Sequence, residues 1–289
     1  MPVSINFDAI QSFAVFADKL NFTHAAEELH ISQPALHMKI QELSASLGVP
    51  LYRKIGRRLE LTEQGEIVAR FGRQLRENAD DLLQELLGAG PLRPVVLAAG
   101  EGAFLYILGP AIREFLRKSV APLRLLTLDR DGVMDALRSG KAHVGVAALE
   151  STPSDLNASL LCKVDQVVAM PQDHALSSRR RLSLKDLSGS RLVVPPPDRP
   201  HRQMLSAALQ SAGVDWEVAV EASGWELMLH FVKLGMGIAV VNSVCSIPRG
   251  LVTRSLPELP KVRYYLVRRD RGPRSGAQHE LAELISRHS

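Results

Sequence analysis

Between residues 7 and 47 the hydrophobic positions recur every three or four residues, in three bursts separated by short polar breaks. Phe7, Ile10, Phe13, Phe16 and Ala17 make the first stripe, that of an amphipathic helix. Phe22, Ala25, Ala26 and Leu29 make a second, shorter one, with Ile31 following after a break at His30. Ala35, Leu36, Ile40, Leu43 and Leu47 make the third, while Gln33, His37, Lys39 and Gln41 project elsewhere. Ser32 stands at an N-cap position, and Pro34 is tolerated only in a first helical turn, so the third helix begins at Gln33-Pro34. The small pair Ala25-Ala26 lets the second and third helices cross closely, as a helix-turn-helix requires. Its second helix presents N-terminal residues outward, the geometry that enters a major groove. On this stretch alone, a helical hairpin packed only for stability stays open.

The following residues weigh against that. Gly48 is a helix stop, and two short alternating segments around Ile55-Gly56-Arg57 predict a hairpin wing. From His37 to Arg58 there are five cations (Lys39, Arg53, Lys54, Arg57, Arg58) against one acid, Glu42, the clustering that phosphate contacts need. Formal charge over the chain is only +4, and residues 1 to 60 carry six Lys/Arg and six Asp/Glu. The case for DNA therefore rests on where the charges sit.

Residues 7 to 65 resemble the winged helix-turn-helix of the LysR-type transcriptional regulators. The resemblance is carried by Phe13 and Phe16, Ala25-Ala26, Ser32-Gln33-Pro34-Ala35, Leu47-Gly48-Val49-Pro50-Leu51-Tyr52 and Leu61-Thr62-Glu63-Gln64-Gly65, in register over some fifty residues. The chain departs from that pattern at His37-Met38, where the family has serine then arginine, at Ser44 and at Lys54. Together the residues and the resemblance nominate Thr23, Ser32, Gln33, Pro34, His37, Met38, Lys39, Lys54, Arg57 and Arg58 for DNA. Gln33, Pro34, His37 and Lys39 are expected near bases or adjacent backbone, and Lys54, Arg57 and Arg58 at phosphates.

Glu63 to Leu87 carries Ile67, Val68, Phe71, Leu75, Ala79, Leu82, Leu83, Leu86 and Leu87 on one stripe, capped by Thr62. So long a helix has little of its own chain to bury against, which predicts pairing with the same helix of a second copy. Packing on the following domain is the alternative. Gly88-Ala89-Gly90-Pro91 ends the helix as a hinge.

From Arg93 the pattern becomes strands alternating with helices. Strands are predicted over 95–99, 123–128 and 144–148, then 164–170, 191–194, 216–220 and 237–241, with a return near 264–268. Helices fall at 108–118, 131–139, 203–212, 224–234 and 278–287, and Gly100-Glu101-Gly102 is read as a turn. Such alternation implies a mainly parallel, right-handedly wound sheet in each of two lobes. With crossovers near 161 and 262, this resembles the periplasmic-binding-protein-like effector domain of the same family. The expected class is α/β: an all-α winged helix-turn-helix (1–62), a linker helix and hinge (63–90), and a two-lobed type-2 periplasmic-binding-protein-like domain (91–289). Lobe I spans about 91–161 and 265–289, and lobe II about 162–264.

Ligands of open α/β lobes sit beyond the C-terminal ends of strands. That rule selects Gly102, Ala103, Phe104, Ala147, Ala148, Pro197, Arg202, Ser223, Trp225 and Asn242. Arg199, His201 and Arg202 offer cations for a carboxylate, while Glu101 disfavours an anion. Against this, Pro195-Pro196-Pro197 also reads as a stiff connector, Ser223 as a helix cap and the arginines as a solvated loop. Arg179-Arg180-Arg181 and the eight cations between Arg249 and Arg274 read as solvated faces.

No catalytic constellation, phosphate loop or ligand-spaced metal cluster stands out, and Cys162 and Cys245 read as reduced core thiols. No apolar run reaches the roughly 18 residues of a membrane span, and the N-terminus does not read as a signal peptide. The sequence points to a cytoplasmic, non-enzymatic regulator without cofactor or metal. Its partners would be double-stranded DNA, a small effector between the lobes, RNA polymerase and further copies of itself, as dimer or tetramer. A solute-binding protein without DNA binding, and an enzyme using the cleft, are the alternatives.

Overall fold

A computed structural model describes residues 6–87, 93–269 and 276–288. Helix α1 (Phe7–Lys19) is capped by Asn6, α2 (Phe22–Glu28) by Asn21 and α3 (Gln33–Leu47) by Ser32, each side-chain oxygen accepting first-turn N–H groups. Gly48 closes α3 at φ 69°, the left-handed position that favours glycine. The three stripes meet as one core in which Phe13, Phe16, Leu36 and Ile40 are fully buried. Each such side chain contributes ~1.5–3 kcal/mol relative to exposure.

Strands β1 (Tyr52–Ile55) and β2 (Arg58–Leu61) pair antiparallel as the wing, with Gly56 at φ 60° in their two-residue turn. Helix α4 (Glu63–Leu87) follows. Thr62 Oγ1 donates to the Pro50 carbonyl at 2.7 Å and accepts from Gly65 N–H at 3.0 Å. A β-carbon on Gly65 would stand 1.8 Å from the Leu51 carbonyl oxygen, so the Leu-Thr-x-x-Gly phrase is the joint where α4 lies directly on the chain entering the wing. Gly72 similarly lets α4 touch α1, since a β-carbon there would be 2.8 Å from the Ile10 carbonyl. Ile67, Phe71, Leu82, Leu83 and Leu86 of the same helix are left exposed. The glycine-rich hinge at 88–91 lies outside the described residues.

In chain order there follow β3 (Val95–Ala99), α5 (Glu101–Tyr106), α6 (Gly109–Lys118), β4 (Leu123–Thr127), α7 (Arg130–Arg138), β5 (Val144–Ala148) and β6 (Leu156–Val164). Then come β7 (Gln166–Pro171), β8 (Ser190–Val194), α8 (Pro200–Ser211), β9 (Trp216–Glu221), α9 (Trp225–Lys233), β10 (Ala239–Asn242), β11 (Leu251–Ser255), β12 (Val262–Arg269) and α10 (Gly276–Arg287). One sheet has the order β4-β3-β5-β12-β6, parallel through β4, β3 and β5 but antiparallel at β12. The other joins antiparallel β10-β7-β11 to parallel β8-β9 through a bridge between Leu192 and Ile238.

Three expectations need correction. The sheets are mixed, because the chain crosses between lobes on paired strands, β6 to β7 and back into β12, rather than through helices. Strands β6 and β11 were not anticipated: β6 is an exposed edge reading Leu-Asn-Ala-Ser-Leu-Leu-Cys-Lys-Val, without clean alternation. Gly100 to Gly102 is not a turn but the start of α5, with Gly100 in extended backbone at its N-cap.

Candidate DNA-binding surface and interlobe cleft

At the start of α3, Ser32, Gln33 and Pro34 are exposed, and the Thr23 hydroxyl reaches Gln33 Oε1 at 3.2 Å, tying the start of α2 to the outward end of α3. Met38 is 57% exposed. His37 is half-buried, with its ring 5.1 Å from Phe22 and its Nε2 3.4 Å from the Tyr52 hydroxyl. The Lys39 ammonium is paired, lying 2.6 Å from Asp8 in the first turn of α1. Arg53 pairs with Glu60 across the wing at 3.3 Å. Lys54, Arg57 and Arg58 are exposed and, among the described residues, have no carboxylate partner. The surface thus presents the outward end of α3 flanked by three free cations.

The cleft is closed. A β-carbon on Gly102 in α5 would stand 3.1 Å from Trp225 in α9, and one on Gly224 would stand 3.2 Å from the Glu101 carboxylate. Arg199 reaches across to Asp129 at 3.7 Å. Ala103 is buried, and Phe104 and Ala148 pack on the same core of the first lobe. Ala147 belongs to that sheet's opposite face, among Val133 and Leu137, because neighbouring strand residues alternate. Pro197 and Ser223 are exposed.

The expected cationic cradle is not assembled. Arg199 is engaged by Asp129, and the Arg202 guanidinium lies 4.6 Å above the Trp216 ring. Burial pushes His201 down to about 4, so its imidazole is neutral at pH 7.

A polar strip runs through the crossover region instead, joining Asn242 and His201, which the sequence selects, to Gln166, Tyr264 and Tyr106, which it does not. Gln166 and Asn242, each 3% exposed, are cross-strand partners on β7 and β10. Gln166 donates to the Pro260 carbonyl at 2.8 Å, which leaves its Oε1 to accept from His201 Nε2 at 3.0 Å. The His201 proton is therefore on Nε2, and Nδ1 is a bare acceptor, buried without a partner. Asn242 donates to the Tyr264 hydroxyl at 3.2 Å, leaving Oδ1 buried and unpartnered, as is the Tyr106 hydroxyl. Burial, with smaller contributions from Cys245, Glu226 and Glu101, pushes Tyr106 up to about 12. Burial likewise raises Tyr264 and the Cys245 thiol to about 12. The signal available in the sequence was Gln166 itself, a polar residue opening the run Val167-Val168-Ala169-Met170.

Comparison with known proteins covers both parts of the chain. The model of the LysR substrate binding domain matches residues 88–289, and that of the bacterial regulatory helix-turn-helix protein, lysR family, matches residues 7–66. The RuBisCO operon transcriptional regulator of Allochromatium vinosum is 28% identical over 98% of each chain. Among solved structures, a full-length OxyR variant from Pseudomonas aeruginosa superposes with TM-score 0.82 at 22% identity, covering 99% of this chain and 96% of that one. CbnR complexed with its target DNA gives TM-score 0.56 at 20% identity, over 98% and 99% of the two chains. The chain belongs to the LysR family of bacterial transcriptional regulators, with a DNA-binding helix-turn-helix followed by an effector-binding domain.

Proposed function

We propose that this regulator reads its operator through Gln33, Pro34, His37 and Met38, with Thr23 and Ser32 holding the start of α3. Lys54, Arg57 and Arg58 neutralise phosphates, and Lys39 acts by fixing α3 to α1. The observation that carries this is the set of unpaired cations beside the exposed start of α3. Phosphate contacts position and base contacts specify, and the two groups stand ready for those separate tasks. The exposed stripe Ile67, Phe71, Leu82, Leu83 and Leu86 favours pairing of α4 with a second copy, giving a dimer with two recognition helices, or a tetramer of two such dimers. RNA polymerase is the partner on which the promoter-bound protein acts, in the cytoplasm and without catalytic turnover.

The effector seat comprises Gly102, Ala148, Ser223, Trp225 and Asn242, extended by Gln166, His201 and Tyr106. Its bare acceptors, Asn242 Oδ1 and His201 Nδ1, favour a small uncharged ligand that carries N–H or O–H donors. The neighbouring Glu101 carboxylate works against an anion.

The test is selection of bound duplexes from a random pool at two salt concentrations. Enrichment of an interrupted inverted repeat, with affinity falling steeply as salt rises, is the expected result. If nothing is enriched and binding is insensitive to salt, the helix-turn-helix is structural and the protein is a small-molecule binder.

A further inference from the structure

Helix α4 does not merely lead from one domain to the next. Two polar groups, one helical turn apart on α4, fasten it to the first lobe. Arg73, 8% exposed, donates from Nε and Nη2 to Asp18 of α1 at 2.9 and 2.7 Å, and from Nη1 to the carbonyl of Ser139, the C-cap of α7, at 2.6 Å. Glu77 takes His143 Nε2 at 3.2 Å on one carboxylate oxygen and Arg269 Nη2, at the end of β12, at 2.9 Å on the other. The Glu77 and His143 side chains are each 11% exposed. Gly140 sits between the two groups: a β-carbon there would lie 3.1 Å from Arg269 Nη1 and 3.7 Å from Arg73 Cβ.

The charges balance. Asp18 and Glu77 are matched by Arg73 and Arg269, and His143 completes the set as a neutral ring, because its Nδ1 accepts from Val96 N–H at 2.9 Å and the proton must lie on Nε2. Burial alone would raise Glu77, but the His143 hydrogen bond and the Arg269 charge outweigh it and hold the carboxyl below its ordinary value. Removing one member would strand a buried charge.

Both elements that carry this key also reach the cleft. Helix α7 begins at Asp129, which pairs with Arg199 of the second lobe, and ends at Ser139 on Arg73. Strand β12 carries Tyr264, bonded to Asn242 of the second lobe, and five residues on carries Arg269, bonded to Glu77. Each is a rigid rod of ~15 Å with one end in the cleft and the other on α4. On the DNA side, Gly72 against Ile10 and Arg76 Nη2 on the Gln11 carbonyl at 3.2 Å bind α4 to α1, so the helix-turn-helix follows α4 as one body.

We propose that Arg73 and Glu77 are positioning residues: their buried key on Ser139, His143 and Arg269 fixes the DNA-binding body against the first lobe. Because pairing of α4 already fixes the two half-sites within a dimer, the key sets the spacing between the sites that the two dimers of a tetramer occupy. The inference rests on the DNA-binding reading above.

The test repeats the random-pool selection with full-length wild type, Glu77→Ala, the conservative Glu77→Gln, and Arg269→Gln as a second way of opening the key. Wild type is expected to enrich one half-site sequence, arranged as inverted repeats, with successive repeats at one favoured spacing. Glu77→Ala and Arg269→Gln should enrich the same half-site but lose preference for that spacing over its neighbours by about tenfold, ~1.4 kcal/mol. Glu77→Gln, which keeps an oxygen to accept one of the two hydrogen bonds but leaves the Arg269 charge unmatched, should fall between wild type and Glu77→Ala. Unchanged spacing preference in both disruptive variants overturns the proposal. So does loss of half-site recognition by both, which would make the key a matter of folding alone. Failure of wild type to enrich any site would instead remove the DNA-binding reading.

Discussion

In the DNA-binding unit, Asn6, Asn21, Ser32 and Thr62 each satisfy a helix start, and the apolar side chains form one packed core. In the cleft between the lobes, Asn242 Oδ1, His201 Nδ1 and the Tyr106 hydroxyl are buried without partners. A buried polar group left unpaired costs ~1–3 kcal/mol, so the cleft holds free energy that a donor-bearing ligand can recover and the DNA-binding unit does not. The difference separates a part that must keep one shape from a part that must respond.

The sharpest way to break the DNA-binding unit is Gly65→Ala. The new methyl meets the Leu51 carbonyl, and both backbones are held by Thr62. We expect a loss of ~3 kcal/mol or more from that unit. Calorimetry should show its transition collapsing to lower temperature while the effector domain melts as before. An unchanged profile would mean that α4 does not lie on Leu51.

The cleft should instead respond to pH. His201 titrates near 6.5 when unfolded and about 4 when folded, so the folded state binds the proton less tightly. Its contribution is complete above about pH 6.5 and is lost as pH falls toward 4, an effect of order 1–3 kcal/mol. Melting profiles between pH 7 and 4 should show the effector domain weakening, and His201→Gln should flatten that part of the curve. An equally steep decline in the variant would assign it to other groups.

A paired substitution compares the two regions directly. Replacing both hydrogen-bonded partners, Asn242→Leu with Tyr264→Phe, removes the orphaned oxygen and should leave stability unchanged or raise it by ~1 kcal/mol. Ser32→Ala removes a satisfied cap and should cost ~1 kcal/mol. If the double variant loses more than the cap variant, the cleft is not strained.

The same contrast explains what the sequence made legible. The helices of the DNA-binding unit announce themselves because local rules and tertiary packing agree there: stripes at helical spacing, Ser32 before Pro34, glycine after Leu47. The strands and helices of the lobes were also readable, apart from β6, β11 and α5. Gln166, His201, Asn242 and Tyr264 were not readable as a group, since they are spread over 98 residues (166 to 264) and meet only where β7 pairs with β10 and β12 returns beside β6. The key on α4 was hidden for the same reason: Glu77 and Arg269 lie 192 residues apart, and each alone reads as a solvated charge. Lys39 is the opposite case, a cation on the recognition helix that reads as unpaired until Asp8 is found beside it.

That pairing supplies the smallest of the expected effects. Arg57 and Lys39 are both cations of the DNA-binding unit, yet only Arg57 is free to displace a counterion from a phosphate. Each phosphate neutralised contributes ~0.9 to the slope of log affinity against log salt. Arg57→Ala should therefore reduce the slope by about one for every subunit bound, equally on operator and random duplex, while half-site preference stays as it was. Lys39→Ala should leave the slope nearly unchanged and act on stability instead, by the ~0.2–1 kcal/mol of an exposed ion pair. Fluorescence anisotropy titrations at four or five salt concentrations decide it: equal slope changes in the two variants would place Lys39 among the phosphate contacts and make its pairing with Asp8 incidental.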